Sequence, residues 1–250
     1  MKGFAWVLMM CAAAAPCWAG RPLSTEDAYG VAARGLEVEV GFDYVSVDEA
    51  GQEYGPCFVG TYGVLDTLNV AAEVPVVIIS PEEGDGESGI GDVALRAKIM
   101  AFGDEEAGPA LAFVPEAKLA TGDDEKGLGS GTTDVGALAA FSFATGPLAL
   151  HANVGYAYAI PDEGDGEGAA NVAAAAEFAA FGPVSLAAEF LAELASEETS
   201  PGNEEYPMAA GGGVSVGVLE NLAVDAGVSV GLGAADGETA VTAGLTWGVL

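Results

Sequence analysis

The sequence predicts an antiparallel, up-and-down transmembrane β-barrel of about twelve strands. Three observations lead there. The 250-residue chain is strongly acidic, with a formal net charge of −31, yet 51% of it is hydrophobic and its mean hydropathy is positive, at +0.36. Beyond the N-terminal region no stretch holds the ~18 consecutive apolar residues that a membrane helix needs. Apolar and polar residues instead alternate with period two in one segment after another. A closed barrel of such strands hides the apolar set in lipid while pairing every backbone group.

The chain opens on Lys2 and a short apolar run from Gly3 to Ala15. Pro16 breaks the run, and Cys17-Trp18-Ala19 offers small residues at −3 and −1, so residues 1–19 read as a cleaved export signal. Cleavage removes Lys2 and leaves six of the seven basic residues against all 38 acidic ones. That balance excludes nucleic acid as a partner, because a phosphate backbone binds basic surface. Cys57 is then the only cysteine, so neither an intrachain disulfide nor a thiolate metal site is expected. Residues 20–35 are expected to be a periplasmic N-terminal segment, too short for a separate plug domain but able to enter the barrel mouth. Residues 36–250 are expected to form the barrel.

Strands are expected near 36–46, 55–65, 68–79, 90–101, 109–120, 132–145, 147–160, 169–181, 183–196, 206–219, 221–233 and 238–249. Four alternate most cleanly. Val93, Leu95, Ala97, Ile99 and Ala101 oppose Asp92, Arg96 and Lys98; Leu148, Leu150, Val154, Tyr156, Tyr158 and Ile160 oppose His151 and Asn153. Val224, Val228 and Val230 oppose Asp225 and Ser229, and Val241, Leu245 and Trp247 oppose Thr242 and Thr246. None of these apolar faces carries a charge, as a lipid face requires. Short turns (Asp66-Thr67, Gly146-Pro147, Gly182-Pro183, Glu220-Asn221, with 102–108 as the one longer member of the set) alternate with longer loops at 47–54, 80–89, 121–131, 161–168, 197–205 and 234–237. An even strand count with that alternation is the outer-membrane pattern, short turns facing the periplasm and long loops facing outward.

The long loops carry the acids: Asp48, Glu49 and Glu53, then Glu82, Glu83, Asp85 and Glu87, then Asp162, Glu163, Asp165 and Glu167, then Glu197, Glu198, Glu204 and Glu205. Their spacing does not make an EF-hand. They read as solvated turns that hold divalent ions loosely, and no specific metal site is expected. Two places resist the strand reading. Segments 169–180 and 184–195 are rich in Ala, Leu and Glu, which favour helices, and as strands they require Leu191 to face inward. Pro75 removes a ladder donor and predicts a bulge or local break.

Inner-facing positions are mostly Ala, Gly, Ser and Thr, with a sparse polar set. Arg96 and Lys98 should neighbour Glu116 and Lys118 across adjacent strands, either as ion pairs neutralising buried charge or as a basic patch that guides an anionic solute. The rest of the interior is acidic, with Glu37, Glu39, Asp43, Glu177, Glu189 and Glu193. His151, the single histidine, shares its face with Ser142 on the adjoining strand, which makes a Ser–His pair conceivable; no motif supports catalysis, and no catalytic residue is expected. Tyr156 and Tyr158 at one end, with Phe141, Phe143 and Trp247 at the other, suit two aromatic girdles.

Several stretches resemble a known family. Arg21-Pro22-Leu23-Ser24-Thr25-Glu26-Asp27-Ala28, Gly89-Ile90-Gly91-Asp92-Val93-Ala94-Leu95-Arg96-Ala97-Lys98, the run from Ala120 to Asp134, and His151-Ala152-Asn153-Val154-Gly155-Tyr156 are similar to the outer-membrane barrels named for a meta-pathway of phenol degradation. The resemblance covers residues 21–160 and implies a barrel in the outer membrane. The family name suggests uptake of aromatic or other small hydrophobic compounds, and the family offers no catalytic motif. The chain end, Trp247-Gly248-Val249-Leu250, departs from the terminal aromatic usual for barrel assembly by placing it three residues early.

The resulting expectation is a passive channel or facilitator for small solutes, with Arg96, Lys98, Glu116, Lys118, Asp134, His151 and Asn153 lining the lumen and no cofactor. Its partners would be outer-membrane lipid and lipopolysaccharide, the barrel-assembly machinery and a solute that the sequence does not name. The rival expectation is a non-transporting surface barrel whose acidic outer loops bind divalent ions.

Overall fold

The computed structural model describes residues 21–47, 51–81, 84–103, 108–161, 166–195 and 206–249. The export signal and many of the loop acids (Asp48, Glu49, Glu82, Glu83, Asp162, Glu163, Asp165, Glu197, Glu198, Glu204 and Glu205) lie outside the described residues.

The described chain folds into β1 (Leu36–Val47), β2 (Gly51–Leu65), β3 (Leu68–Ser80), β4 (Glu87–Ile90), β5 (Val93–Phe102), β6 (Gly108–Leu119), β7 (Thr132–Thr145), β8 (Leu148–Pro161), β9 (Glu167–Phe181), β10 (Val184–Ala195), β11 (Pro207–Leu219), β12 (Leu222–Gly233) and β13 (Glu238–Gly248). Apart from β4 and β5, which do not pair with each other, each pairs antiparallel with its chain neighbours, and β1 pairs with both β2 and β13, which closes the ring. β4 and β5 both pair with β3, end to end, so the wall is twelve strands around. Closure leaves no sheet edge in the lipid, where an unpaired backbone group costs several kcal/mol.

The interruption between β4 and β5 lies beside Pro75. Val76 pairs with Ile90 and Glu73 with Ala94, a register slip of one residue, and Gly91 N–H donates to the Pro75 carbonyl at 2.9 Å. The break expected at Pro75 is thus taken up by the partner strand, which bulges at Gly91-Asp92.

The Ala-rich segments are strands, β9 and β10, and Leu191 shares the inward parity of Glu189 and Glu193. Two forces override their helical propensity. A helix here would open the wall, and the hairpin turn fixes the pairing: Gly182 has φ +54°, open to glycine at little cost, and Pro183 supplies the negative φ that follows. Gly146-Pro147, with Gly146 at φ +57°, repeats the device between β7 and β8.

The outer face is apolar and exposed: Phe42, Phe113, Val154, Phe178, Leu186 and Val228 all point away from the lumen. Tyr156 and Tyr158 stand toward the long-loop end, and Phe141, Phe143 and Trp247 toward the short-turn end, all exposed. A charge placed mid-wall tests that this belt meets lipid. Replacing Val154, 59% exposed at the middle of β8, by Arg should lower the free energy of folding into vesicles by about 2–4 kcal/mol, read by urea titration. A loss under about 0.5 kcal/mol would place this face away from lipid.

Residues 21–35, expected as a periplasmic segment able to enter the barrel mouth, extend further in than that. They run inside the barrel, from the β12–β13 wall across to β3 and β2, through the short-turn half of the lumen. The reason is that the inner face carries buried polar groups which replace water around this backbone.

Candidate functional site: the barrel lumen

Strand alternation sets the lumen lining. On β1 to β3 and β8 to β12 odd-numbered residues face in, while on β5 to β7 and β13 the even-numbered ones do. All seven residues expected to line the lumen face inward.

Four inward side chains, besides Lys98, hold the N-terminal segment by its backbone. Asn153 accepts from Glu26 N–H and donates to the Glu26 carbonyl, both at 2.7 Å. Asn69 does the same for Val31, at 2.9 and 2.8 Å. Each asparagine thus serves as a one-residue strand partner. One oxygen of Glu189 accepts from Ser24 N–H, Thr25 N–H and the Thr25 hydroxyl at 2.8 to 2.9 Å. Ser142 Oγ accepts from Ala28 N–H at 2.8 Å. At the start of the segment Arg21 pairs with Asp225 at 3.2 Å and donates to Thr242 Oγ1 at 2.6 Å. Its guanidinium fits because Gly41 and Gly244 bear no side chain; a Cβ on Gly41 would fall 2.1 Å from Arg21 Nη1.

The basic residues on β5 meet the acids of this segment. Arg96 lies 2.6 Å from Glu26 and 4.0 Å from Glu116, and Lys98 bridges Glu26 and Asp27 and donates to the Tyr29 carbonyl at 2.7 Å. Nearer the long-loop end Lys118 pairs with Asp134 at 2.6 Å and lies 3.6 Å from Asp92. The cations are therefore matched by the protein's own carboxylates, which for Arg96 and Lys98 come chiefly from the N-terminal segment and not from the adjacent strand. Buried pairs of this kind gain little net stability, but removing one partner costs about 3–5 kcal/mol. Their geometric effect is to fix the segment in one place.

Ser142 and His151 do meet. Ser142 Oγ is 2.8 Å from His151 Nδ1, and His151 Nε2 is 3.3 Å from Glu177 Oε1. Ser142 is fully buried and its oxygen already accepts from Ala28, so the line Glu177–His151–Ser142 ends on the segment and not on open space.

A second inward element comes from the connection between β6 and β7. Asp92, on the β4–β5 bulge, accepts from Gly122 N–H at 3.0 Å and from Ser130 N–H and Oγ at 2.8 Å. Thr121 Oγ1 donates to the Gly91 carbonyl at 2.9 Å and accepts from Val93 N–H at 2.8 Å. These bonds fold the connection over the mouth and bury Leu128. Between this loop and the N-terminal segment lies a cavity of about 310 Å³, floored by Ser24 and Glu26. Arg96, Glu116, Lys118, Asp134 and Asn153 line it, whereas Lys98 and His151 lie below the floor.

Sequence reasoning allowed the segment to enter the mouth but did not find its path across the lumen or its partners there. The available signal was the surplus of inward polar residues (Asn69, Ser142, Asn153, Glu189) with no obvious partner on adjacent strands.

A closed twelve-strand wall with an apolar outer belt, aromatic residues at both ends and a polar lumen defines an outer-membrane β-barrel. The family model described as "Putative MetA-pathway of phenol degradation" matches residues 19–248, and the chain belongs to that family. No curated protein matches it in sequence. Among solved structures, it is similar to the COG4313 outer membrane channel from Pseudomonas putida F1, with a TM-score of 0.68 at 14% identity, over 89% of this chain and 98% of that one. It is also similar to the NanC porin (TM-score 0.61, 10% identity, 84% and 98% covered) and to the KdgM porin in complex with disordered oligogalacturonate (0.55, 7%, 84% and 98%). At these identities the likeness is one of fold.

Proposed function

We propose that the protein is a passive channel or facilitator of the outer membrane that admits small solutes, aromatic or hydrophobic compounds among them. The observation that carries this reading is the cavity between the inturned loop and the N-terminal segment. Its volume of about 310 Å³ is at the lower end of the ~300–1,000 Å³ of small-molecule sites. Its lining is largely apolar, with Val45, Val77, Leu128, Leu138 and Leu191, which suits a ring compound better than a sugar. Its floor is held by hydrogen bonds, ion pairs and small apolar contacts (Leu23 on Ala175, Ala28 on Ala110, Ala112 and Ala140), so it can move without breaking a strand. Lipid, lipopolysaccharide and the assembly machinery are the partners such a barrel needs. Planar-bilayer recording and liposome swelling with small solutes test the channel; a barrel that folds in lipid yet neither conducts nor admits solute would overturn it.

That second outcome would favour a non-transporting surface barrel, the reading supported by the N-terminal segment lying across the short-turn half of the lumen. Catalysis has less support, because Ser142 is sealed beneath Ala28. Esterase and phospholipase assays should give the same background rate for the wild type and for His151→Ala; a rate that disappears in the variant would make the Ser142–His151 pair catalytic.

A further inference from the structure

We propose that the lumen cavity is a binding site for small apolar molecules that carry a positive charge, such as primary arylalkyl amines in their ammonium form. This rests on the channel reading for its purpose but not for its test. Eight carboxylates and two basic side chains line the cavity. The two cations, Arg96 and Lys118, lie on one wall and are already paired with Glu26 and Asp134. On the remaining wall Glu53, Glu193 and Glu238 have no ion-pair partner among the described residues.

The deepest of the set is Glu73 on β3. It is 2% exposed; one oxygen accepts from the Cys57 thiol at 3.3 Å, and the other has no hydrogen-bond partner. Glu193 is 8% exposed and faces the same space. A buried carboxylate oxygen without a donor forgoes the desolvation recovered by a hydrogen bond. An ammonium group supplies the missing donors, while the ring of the ligand covers Val77, Leu128 and Leu191. A neutral ring alcohol gains only the second contact, and a ring carboxylate adds a like charge. The site therefore ranks its ligands by charge as well as by apolar surface.

Calorimetric titration of the full barrel, refolded in an uncharged detergent at pH 7.5 and low salt, separates these cases. The probes are benzylamine, benzyl alcohol and benzoate, each corrected for uptake by protein-free micelles. Benzylamine should bind about tenfold or more tightly than benzyl alcohol, with benzoate weakest, a ratio in the range that one charge-assisted hydrogen bond adds. Glu73→Gln and Glu193→Gln keep the shape of each side chain and should each reduce that preference by several-fold, with heat-dependent gel migration reporting that the barrel is intact. Equal binding of amine and alcohol, a preference unchanged in both variants, or no binding of benzylamine would each overturn the proposal. Because titration needs no current through the pore, a barrel that binds the amine but does not conduct would refute the channel while leaving this site standing.

Discussion

Deleting residues 21–33 from the refolded barrel should raise its single-channel conductance by about threefold or more, since twelve strands enclose more space than their own side chains fill. The wall is independent of the segment, because the closing pairs β1–β2 and β1–β13 begin at residues 36 and 37. The deletion exposes Arg96 and Lys98, which lose Glu26 and Asp27 as partners. In an open, hydrated lumen they are solvated, so the cost of an unpaired buried charge is largely avoided. The deletion removes Arg21 along with Glu26 and Asp27, a net gain of one positive charge, so the opened pore should also conduct anions somewhat better than the wild type does. Conductance equal to that of the wild type would mean that the segment does not sit in the conducting path.

Asp92→Ala should release the inturned loop while leaving the barrel closed. The carboxylate accepts from Gly122 N–H and from Ser130 N–H and Oγ, and stands near Lys118. Hydrogen bonds to a charged acceptor contribute about 1.5–3 kcal/mol each and are not additive, so a local loss of about 2–4 kcal/mol is expected. It should appear as hydrogen exchange at Gly122 and Ser130 faster by about thirtyfold or more, with the strand amides of β7 and β8 unchanged. Asp92→Asn, which retains one acceptor but loses the charge beside Lys118, should fall between. Exchange unaffected by Asp92→Ala would show that Leu128 and the loop backbone hold the fold-in without the carboxylate.

Asp92 also shows how sequence and structure divide the information. Gly91-Asp92 and the run from Thr121 to Asp134 are two of the stretches by which the chain resembles its family, and they lie about thirty residues apart. In the structure they are one object, a bulge and the loop stapled to it. The strands themselves were legible. β7 falls on the expected 132–145, and the alternating faces of β5, β8, β12 and β13 lie as the pattern requires. The Ala-rich β9 and β10 were the ambiguous case, since local propensity favours helix there and only the turn residues and the repeating loop pattern argued otherwise.

The sequence by itself determined most of the wall: which residues face lipid, where the short turns lie and which side chains point inward, although Glu53, expected in a loop over 47–54, lies in β2. It can do so because the strand period of two and the turn chemistry are local, each readable within a dozen residues. What only the tertiary structure decided is what fills the wall. Glu26 finds Asn153 across 127 positions, Arg21 finds Asp225 across 204, and Asp92 finds Ser130 across 38. No local pattern encodes these meetings, because they follow from curvature: a sheet must close before its inward groups face one another, and only then does the segment's backbone find donors and acceptors in place of water.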